Sequence, residues 1–379
     1  MRVLQVSNLV SHHQLPLARE IAKVVGEDNF RFAATAVPDQ ERLRLGWASE
    51  FGDPWIFRAG EVEADRIAFE QWWDEADVVI CGERRFTRMG ERLAQGKVCF
   101  YMSERWWKPP IGKIRLLSPK ILKIVREFRA VADHPLFHYL PVGPYAERDI
   151  AVLSEMVGRT WRWGYFPDVS DHLHKTINAG PQLKLLWVGR MLGWKRVDTL
   201  IRAVSAAING GADLKLTLIG DGPERASLEK LAGRLLDRDS FVIRDSVSAS
   251  EIPSIMSEND VYVLPSSAYE GWGAVVNEAM SCGCAVVASK ATGAGAAIIK
   301  HGINGFLFSP GDSQGLSAQL VSLASDDALR RRLGIEAIRS MSEVWSPSVA
   351  ASRFLEVAAA VLSKSVMPMY DEGPMSRPR

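Results

Sequence analysis

The sequence predicts an α/β protein made of two Rossmann-like domains with parallel sheets, and three observations carry that prediction. Short β-rich runs alternate with longer segments of helical period along the chain. The runs are rich in apolar and β-branched residues, which suits strands covered on both faces. A polar stretch at 166–181 (FPDVSDHLHKTINAGP), with two prolines and little periodicity, separates halves of similar size. The expected organisation is an N-terminal domain over 1–170, a second over 171–345, a helix over 346–367 and a mobile tail over 368–379.

Taken in order, the first-half strands are expected at 2–7 (RVLQVS), 31–37 (RFAATAV), 77–81 (DVVIC), 97–102 (KVCFYM) and 136–140 (LFHYL), with a weaker run at 160–163 (TWRW). In the second half they fall at 183–188 (LKLLWV), 214–219 (LKLTLI), 241–244 (FVIR), 261–264 (VYVL) and 284–288 (CAVVA). After Trp345-Ser346-Pro347, a plain entry turn, the run SVAASRFLEVAAAVL is strongly helical. Periodicity leaves open whether that helix finishes the second domain or returns to the first. The closing PMYDEGPMSRPR carries too few apolar residues to pack, hence the expected mobility. Trp72-Trp73 and Trp106-Trp107 read as core or inter-element fillers, with an acceptor cleft as the alternative.

Of the 379 residues, 47% are hydrophobic and 24% charged, which excludes disorder as the main state. A formal net charge of +1 speaks against nucleic-acid binding through global charge. Cys81, Cys99, Cys282 and Cys284 are too few for a disulfide scaffold, so a reducing, cytoplasmic setting is expected. No apolar run is long enough for a spanning helix, and the first residues read as a strand instead of a signal segment.

Two segments carry chemistry. In LLWVGRMLGWK (185–195) a buried strand ends at Gly189-Arg190, and Lys195 stands at the mouth of a helix. Parallel α/β sheets bind ligands at the carboxyl ends of their strands, so Arg190 and Lys195 stand where an anion would bind. Arginine offers a planar fork to phosphate and lysine a mobile point charge. In YVLPSSAYEGWGAVVNEAMSCG (262–283) a strand ends at Pro265, Glu270 precedes a helix starting near Ala274, and Glu278 lies about one turn inside it. The helix start exposes backbone N–H groups to phosphate or hydroxyl oxygens. The two carboxylates can hold two ends of one polar ligand, a ribose diol at Glu278 and a sugar hydroxyl at Glu270.

The order GR…K, then IGDGP at 219–223, then P-S-x-x-x-E-G-x-G…E-A-M-x-x-G, then G-x-N-G-F-L at 302–307, resembles the retaining glycosyltransferases of family 4 over about 180–345. The resemblance implies the glycosyltransferase-B fold, two Rossmann domains facing a cleft, with the final helix crossing back to the N-terminal, acceptor-binding domain. It implies transfer of a sugar from a UDP-, GDP- or ADP-sugar to a glycan, lipid-linked or small-molecule acceptor, in cell-surface polysaccharide or glycoconjugate synthesis. It assigns Arg190 and Lys195 to the donor diphosphate, Glu278 to the ribose and Glu270 to the transferred sugar. The backbone of Gly271, Trp272, Gly273, Ala274 and Val275 would reach sugar hydroxyls and the distal phosphate, and Val247 would border the base. Arg196 departs from the family's usual glycine. In the N-terminal half, Ser103-Glu104 stands where the family often has a histidine, so either Glu104 or His13 would fill that role. Other than the nucleotide-sugar co-substrate, no cofactor is expected.

Asp237-Arg238-Asp239, the one Asp-x-Asp triplet, sits in a polar turn, and His172-x-His174 and Cys282-x-Cys284 lack partners with ligand spacing, so no metal is expected. Gly220-Asp221-Gly222 lacks the third glycine of a dinucleotide fingerprint, which argues against hydride transfer. The segment 113–129 carries Lys113, Arg115, Lys120, Lys123, Arg126 and Arg129 against the single acid Glu127. It reads as an ordinary surface helix, or as a basic amphipathic helix at an anionic membrane. A nucleotide-sugar epimerase and a non-catalytic nucleotide-sugar-binding subunit are the competing functional readings.

Overall fold

The structure is a computed structural model that describes residues 1–37, 52–109, 111–168 and 182–378. The chain divides into two compact units, Met1–Pro167 with Val344–Arg379, and Asp168–Glu343.

The first unit runs β1 (Val3–Ser7), α1 (Leu15–Val25), β2 (Phe30–Ala34), β3 (Ile56–Phe57), α2 (Glu63–Glu75), β4 (Val78–Cys81), α3 (Phe86–Ala94), β5 (Val98–Ser103), α4 (Pro119–Ala132), β6 (Phe137–Pro141) and α5 (Pro144–Ala151). Its strands pair in parallel in the order β3-β2-β1-β4-β5-β6. Every residue of β1, β4 and β6 is buried, as strands covered on both faces are. The weak run at 160–163 supplies only isolated bridges, Tyr139 to Thr160 and Val142 to Trp163. Trp73, Trp106 and Trp107 are core: Trp106 Nε1 donates to Ser103 Oγ (3.2 Å) and Trp107 Nε1 to the Asp149 carbonyl (2.8 Å).

The second unit runs β7 (Leu183–Val188), α6 (Val197–Asn209), β8 (Leu214–Ile219), α7 (Arg225–Leu235), β9 (Phe241–Arg244), α8 (Ile252–Ser257), β10 (Val261–Leu264), α9 (Val275–Ser281), β11 (Ala285–Ser289), α10 (Gly293–Ile298), β12 (Phe306–Phe308), α11 (Ser313–Ser325) and α12 (Asp327–Glu343). Its parallel sheet is ordered β12-β11-β10-β7-β8-β9. Each unit therefore has the doubly wound strand order, which reverses between β1 and β4 in the first and between β7 and β10 in the second. The sequence runs missed β3 and β12, which at two and three residues are too short to show a period.

Helix α13 (Pro347–Ser363) crosses back to the first unit. Ser346 caps it, accepting from the Val349 N–H (3.3 Å), and Phe354 meets Phe100 of β5 edge-on with ring centroids 4.9 Å apart. The segment after it corrects the expectation of a mobile tail. Met375 is fully buried, its N–H donates to the Arg162 carbonyl (2.9 Å), and the Arg162 N–H donates to the Ser376 carbonyl (2.9 Å). The Arg377 guanidinium lies 3.5 Å from the centroid of the Trp161 ring. A count of apolar residues misses such an anchor, because one methionine, a short backbone pairing and a cation–π contact share the work.

Part of the basic segment packs, and part does not. In α4, Val125, Phe128, Val131 and Ala132 are buried. Ile111, Ile114, Leu117 and Leu122, on the preceding turn and the first turns of α4, are 50, 66, 80 and 51% exposed.

Candidate active site

The strand order of the second unit brings the loops after β7 and β10 to the two sides of its reversal, where the two chemistry-bearing segments of the sequence converge. The loop after β7 is held by backbone contacts to the loop after β8. Gly189 N–H donates to the Ile219 carbonyl (3.0 Å) and Met191 N–H to the Asp221 carbonyl (2.7 Å). A Cβ on Gly220 would lie 1.9 Å from the Gly189 carbonyl oxygen, so the chains cross too closely for any side chain there. The glycines of IGDGP thus shape the Arg190 loop.

Lys195 ends a short 3₁₀ turn, Gly193–Lys195. Its Nζ donates to Glu270 Oε2 at 2.6 Å, and Ser266 Oγ donates to the same oxygen at 3.0 Å. Lys195 and Glu270 are mostly enclosed, with 17 and 11% of their side chains exposed. The Ser267 N–H donates to the Trp194 carbonyl (2.9 Å), so the two loops are joined through backbone as well as charge. The Lys195 ammonium sits 4.5 Å from the centroid of the Trp194 ring, and that ring lies 5.7 Å from Tyr269. Residues assigned separately to diphosphate and sugar therefore form one unit. Arg190, on the same loop as Lys195, is exposed.

Ala274 precedes α9 and Glu278 lies in the helix's first turn. Burial pushes the Glu278 carboxyl up to about 7. Tyr262, fully buried on β10, donates from its hydroxyl to the Val188 carbonyl (3.3 Å), and burial, with Glu278 and Glu270 nearby, raises its phenol. Trp272 turns inward: its ring is buried and Nε1 donates to Asn277 Oδ1 (2.9 Å). Gly273, at φ 87°, has no room for a Cβ beside Leu264. Gly271 is buried, Val275 opens α9, and Val247 is half-buried in the coil after β9. Arg196 adopts the left-handed conformation (φ 54°, ψ 39°) that its glycine predecessor in the family pattern would take without strain.

Asp237 and Asp239 are exposed and precede β9, so they stand at the amino ends of the parallel strands, the opposite end from the loops that follow β7 and β10. Cys282 and Cys284 are buried, and Cys284 Sγ donates to the Met256 carbonyl (3.1 Å). His172 and His174 lie outside the described residues.

In the first unit, the loop after β1 is fixed by its own side chains: Ser11 Oγ donates to Gln14 Oε1 (3.2 Å) and Gln14 Nε2 to Ser7 Oγ (3.3 Å). The His12 and His13 rings lie 3.8 Å apart between centroids, tilted by 54° to each other. Burial, and for His13 also the neighbouring His12, holds His13 well below the ordinary histidine range and lowers His12 as well. His13 lies 6.3 Å from Tyr165, whose hydroxyl donates to Glu104 Oε1 (3.2 Å), while Lys108 Nζ donates to Glu104 Oε2 (2.9 Å). The two alternatives for the missing family histidine, His13 and Glu104, thus belong to one cluster joined by Tyr165. Sequence reasoning had no signal for Tyr165, which follows the last strand of its unit. Ser266 was visible in the P-S-x-x-x-E run but carried no assigned role.

Residues 170–340 match the family model described as glycosyl transferases group 1. An alpha-D-kanosaminyltransferase of Streptomyces kanamyceticus is 32% identical over 166 residues, covering 44% of this chain and 42% of that protein. The N-acetyl-alpha-D-glucosaminyl L-malate synthase of Bacillus anthracis is 29% identical over 199 residues, covering 52 and 51% respectively. The chain spans about half the length, or less, of these curated relatives. Among solved structures, Anabaena HepE in complex with UDP has a TM-score of 0.68 at 19% identity, over 95% of this chain and all of that one. The lipopolysaccharide outer core galactosyltransferase WaaB, in its apo form, has a TM-score of 0.67 at 17% identity, over 96% of this chain and all of that one. At such identities the likeness shows a shared fold, that of the two-Rossmann glycosyltransferases.

Proposed function

We propose that this chain, whose residues 170–340 match the family model of group 1 glycosyl transferases, moves a sugar from a nucleoside-diphosphate sugar to a hydroxyl of an acceptor, with retention and without a metal ion. The observation that carries the reading is the Lys195–Glu270 pair across the β7/β10 reversal, with Arg190 on the same loop as Lys195. Breaking a sugar–phosphate bond leaves added negative charge on the nucleoside diphosphate, and a fixed positive group must meet it. Arg190 and Lys195 do so; the one Asp-x-Asp triplet precedes its strand, at the wrong end of the sheet to carry a metal there. Glu270 holds the sugar, Glu278 the ribose, and the 271–275 backbone the distal phosphate and sugar hydroxyls, with Val247 beside the base. The acceptor hydroxyl attacks the anomeric carbon on the face the leaving group departs from. The carbon–oxygen bond to phosphate breaks, and the hydroxyl proton passes to a β-phosphate oxygen of the leaving nucleoside diphosphate. Glu104 or His13 in the first unit contacts sugar or acceptor.

The relatives' names favour glycan and glycoconjugate acceptors: one is a lipopolysaccharide core biosynthesis glycosyltransferase of Rhizobium meliloti, another a phosphatidyl-myo-inositol mannosyltransferase of Mycobacterium leprae. No helix of the described residues is long and apolar enough to cross a membrane. The exposed Ile111, Ile114, Leu117 and Leu122 among Lys113, Arg115, Lys120 and Lys123 fit contact with an anionic membrane surface on its cytoplasmic side, the expected home of a lipid-linked acceptor.

A thermal-shift panel of UDP-, GDP- and ADP-sugars tests the donor reading, since a ligand that binds only the folded state raises the transition. One of them is expected to stabilise the wild type, and Arg190→Ala to cost about 10²–10³ in transfer rate. Transfer near wild type in Arg190→Ala would refute the charge role. Conversion of donor without acceptor, followed by NMR, would show an epimerase instead.

A further inference from the structure

We infer that Ser266 is a positioning residue: with Lys195 it occupies one oxygen of the Glu270 carboxylate, so that the other oxygen is presented to the transferred sugar. The inference rests on the donor reading above and adds a residue to it. Glu270 Oε2 accepts two hydrogen bonds, from Lys195 Nζ at 2.6 Å and from Ser266 Oγ at 3.0 Å, while Oε1 accepts none among the described residues. Ser266 is fully buried and Glu270 is 8% exposed, so neither bond is a loose surface contact.

The terminal torsion of a glutamate is broad and nearly two-fold, so a carboxylate facing a single ammonium can turn and offer it either oxygen or both. The Ser266 hydroxyl removes that freedom, because it approaches Oε2 from its own strand end while Lys195 approaches from the loop after β7. Gly273 lies close beside the stem of Glu270: a Cβ built on it would come 3.5 Å from Glu270 Cγ. The ammonium is likewise oriented. One of its donors goes to Glu270, and one side faces the Trp194 ring, whose carbonyl is tied to the Ser267 N–H at 2.9 Å. Its remaining donors are left for the diphosphate. Ser266-Ser267 thereby sets both the carboxylate that reads the sugar and the loop that carries the phosphate-binding cation. Removing the serine hydroxyl lets the carboxylate rotate toward Lys195 and withdraw Oε1, which affects recognition of the sugar and leaves recognition of the nucleoside diphosphate to Arg190 and Lys195.

The test compares affinities of the full chain for matched ligands by calorimetry: UDP with UDP-glucose, GDP with GDP-mannose, and ADP with ADP-glucose, using the pair that binds the wild type. Ser266→Ala is expected to weaken the sugar nucleotide about tenfold, the scale of one hydrogen bond to a charged group, and the free nucleoside diphosphate by less than about threefold. Ser266→Thr, which keeps the hydroxyl, is expected to restore the wild-type ratio. Ser266→Ala weakening both ligands equally, or neither, would overturn the positioning role even with its folding transition unchanged. If no pair binds the wild type, the donor reading itself falls.

Discussion

Separating Lys195 from Glu270 offers a direct measure of how the second unit holds its candidate site. The pair is 2.6 Å apart with 17 and 11% of the two side chains exposed. At an effective dielectric of about 20 the gross attraction is roughly 6 kcal/mol, and most of that offsets the cost of taking both ions out of water. Deleting one partner leaves the other charge enclosed, which costs about 3–5 kcal/mol in buried pairs; the residual exposure here places the value near 3. Lys195→Met and Glu270→Leu are each expected to lower the unfolding transition of the second unit by about 6–12 °C, taking about 2–4 °C per kcal/mol for a domain of this size. The double variant removes both charges and is expected to be no less stable than either single one, a coupling of about 3 kcal/mol. Urea or thermal unfolding of the four proteins closes the cycle, and the coupling is expected to persist at high salt because the pair is enclosed. Additive losses in the two single variants would refute the pair as an enclosed electrostatic unit.

Two further outcomes follow from other parts of the molecule. His138 on β6 is 2% exposed, accepts a hydrogen bond at Nδ1 from Trp161 Nε1 (3.1 Å), and is pushed down to about 3 by burial and then by Arg159 and Arg377. The unfolded chain binds the proton more readily, so this stability is full above about pH 6.5 and is lost as pH falls toward 3. Between pH 7 and pH 5 the wild type is expected to lose about 2 kcal/mol that His138→Gln keeps, read as a smaller shift of the urea midpoint; equal shifts would contradict the assignment. For the membrane surface, flotation with vesicles of phosphatidylcholine and phosphatidylglycerol at low salt is expected to carry the wild type upward. Ile114→Ser/Leu117→Ser should reduce the floated fraction several-fold, and absence of wild-type binding would remove the surface from consideration.

Much of the fold was legible because its signals are local. Parallel strands show as short runs rich in apolar and β-branched residues, and all the longer ones sit within a residue or three of their expected bounds. The helix after Pro347 was readable from its period and entry turn. Its return to the first unit was implied by the family resemblance alone, since Phe354 meets Phe100 through packing that no periodicity records. The last residues were misjudged for a related reason: Met375 and Arg377 gain their hold from Arg162 and Trp161, more than 200 positions earlier.

The candidate site divides the same way. Strand ends, glycine turns and the sign of each charge are encoded within a few residues, so Arg190, Lys195, Glu270 and Glu278 could be picked out one by one from their place after buried strands. Which of them meet depends on the order of strands in the sheet, and that order is a property of the whole core. Only tertiary structure sets Lys195 and Ser266 on one oxygen of Glu270, or joins Glu104 through Tyr165 to the neighbourhood of His13, because those contacts close loops of many tens of residues and no local preference specifies them.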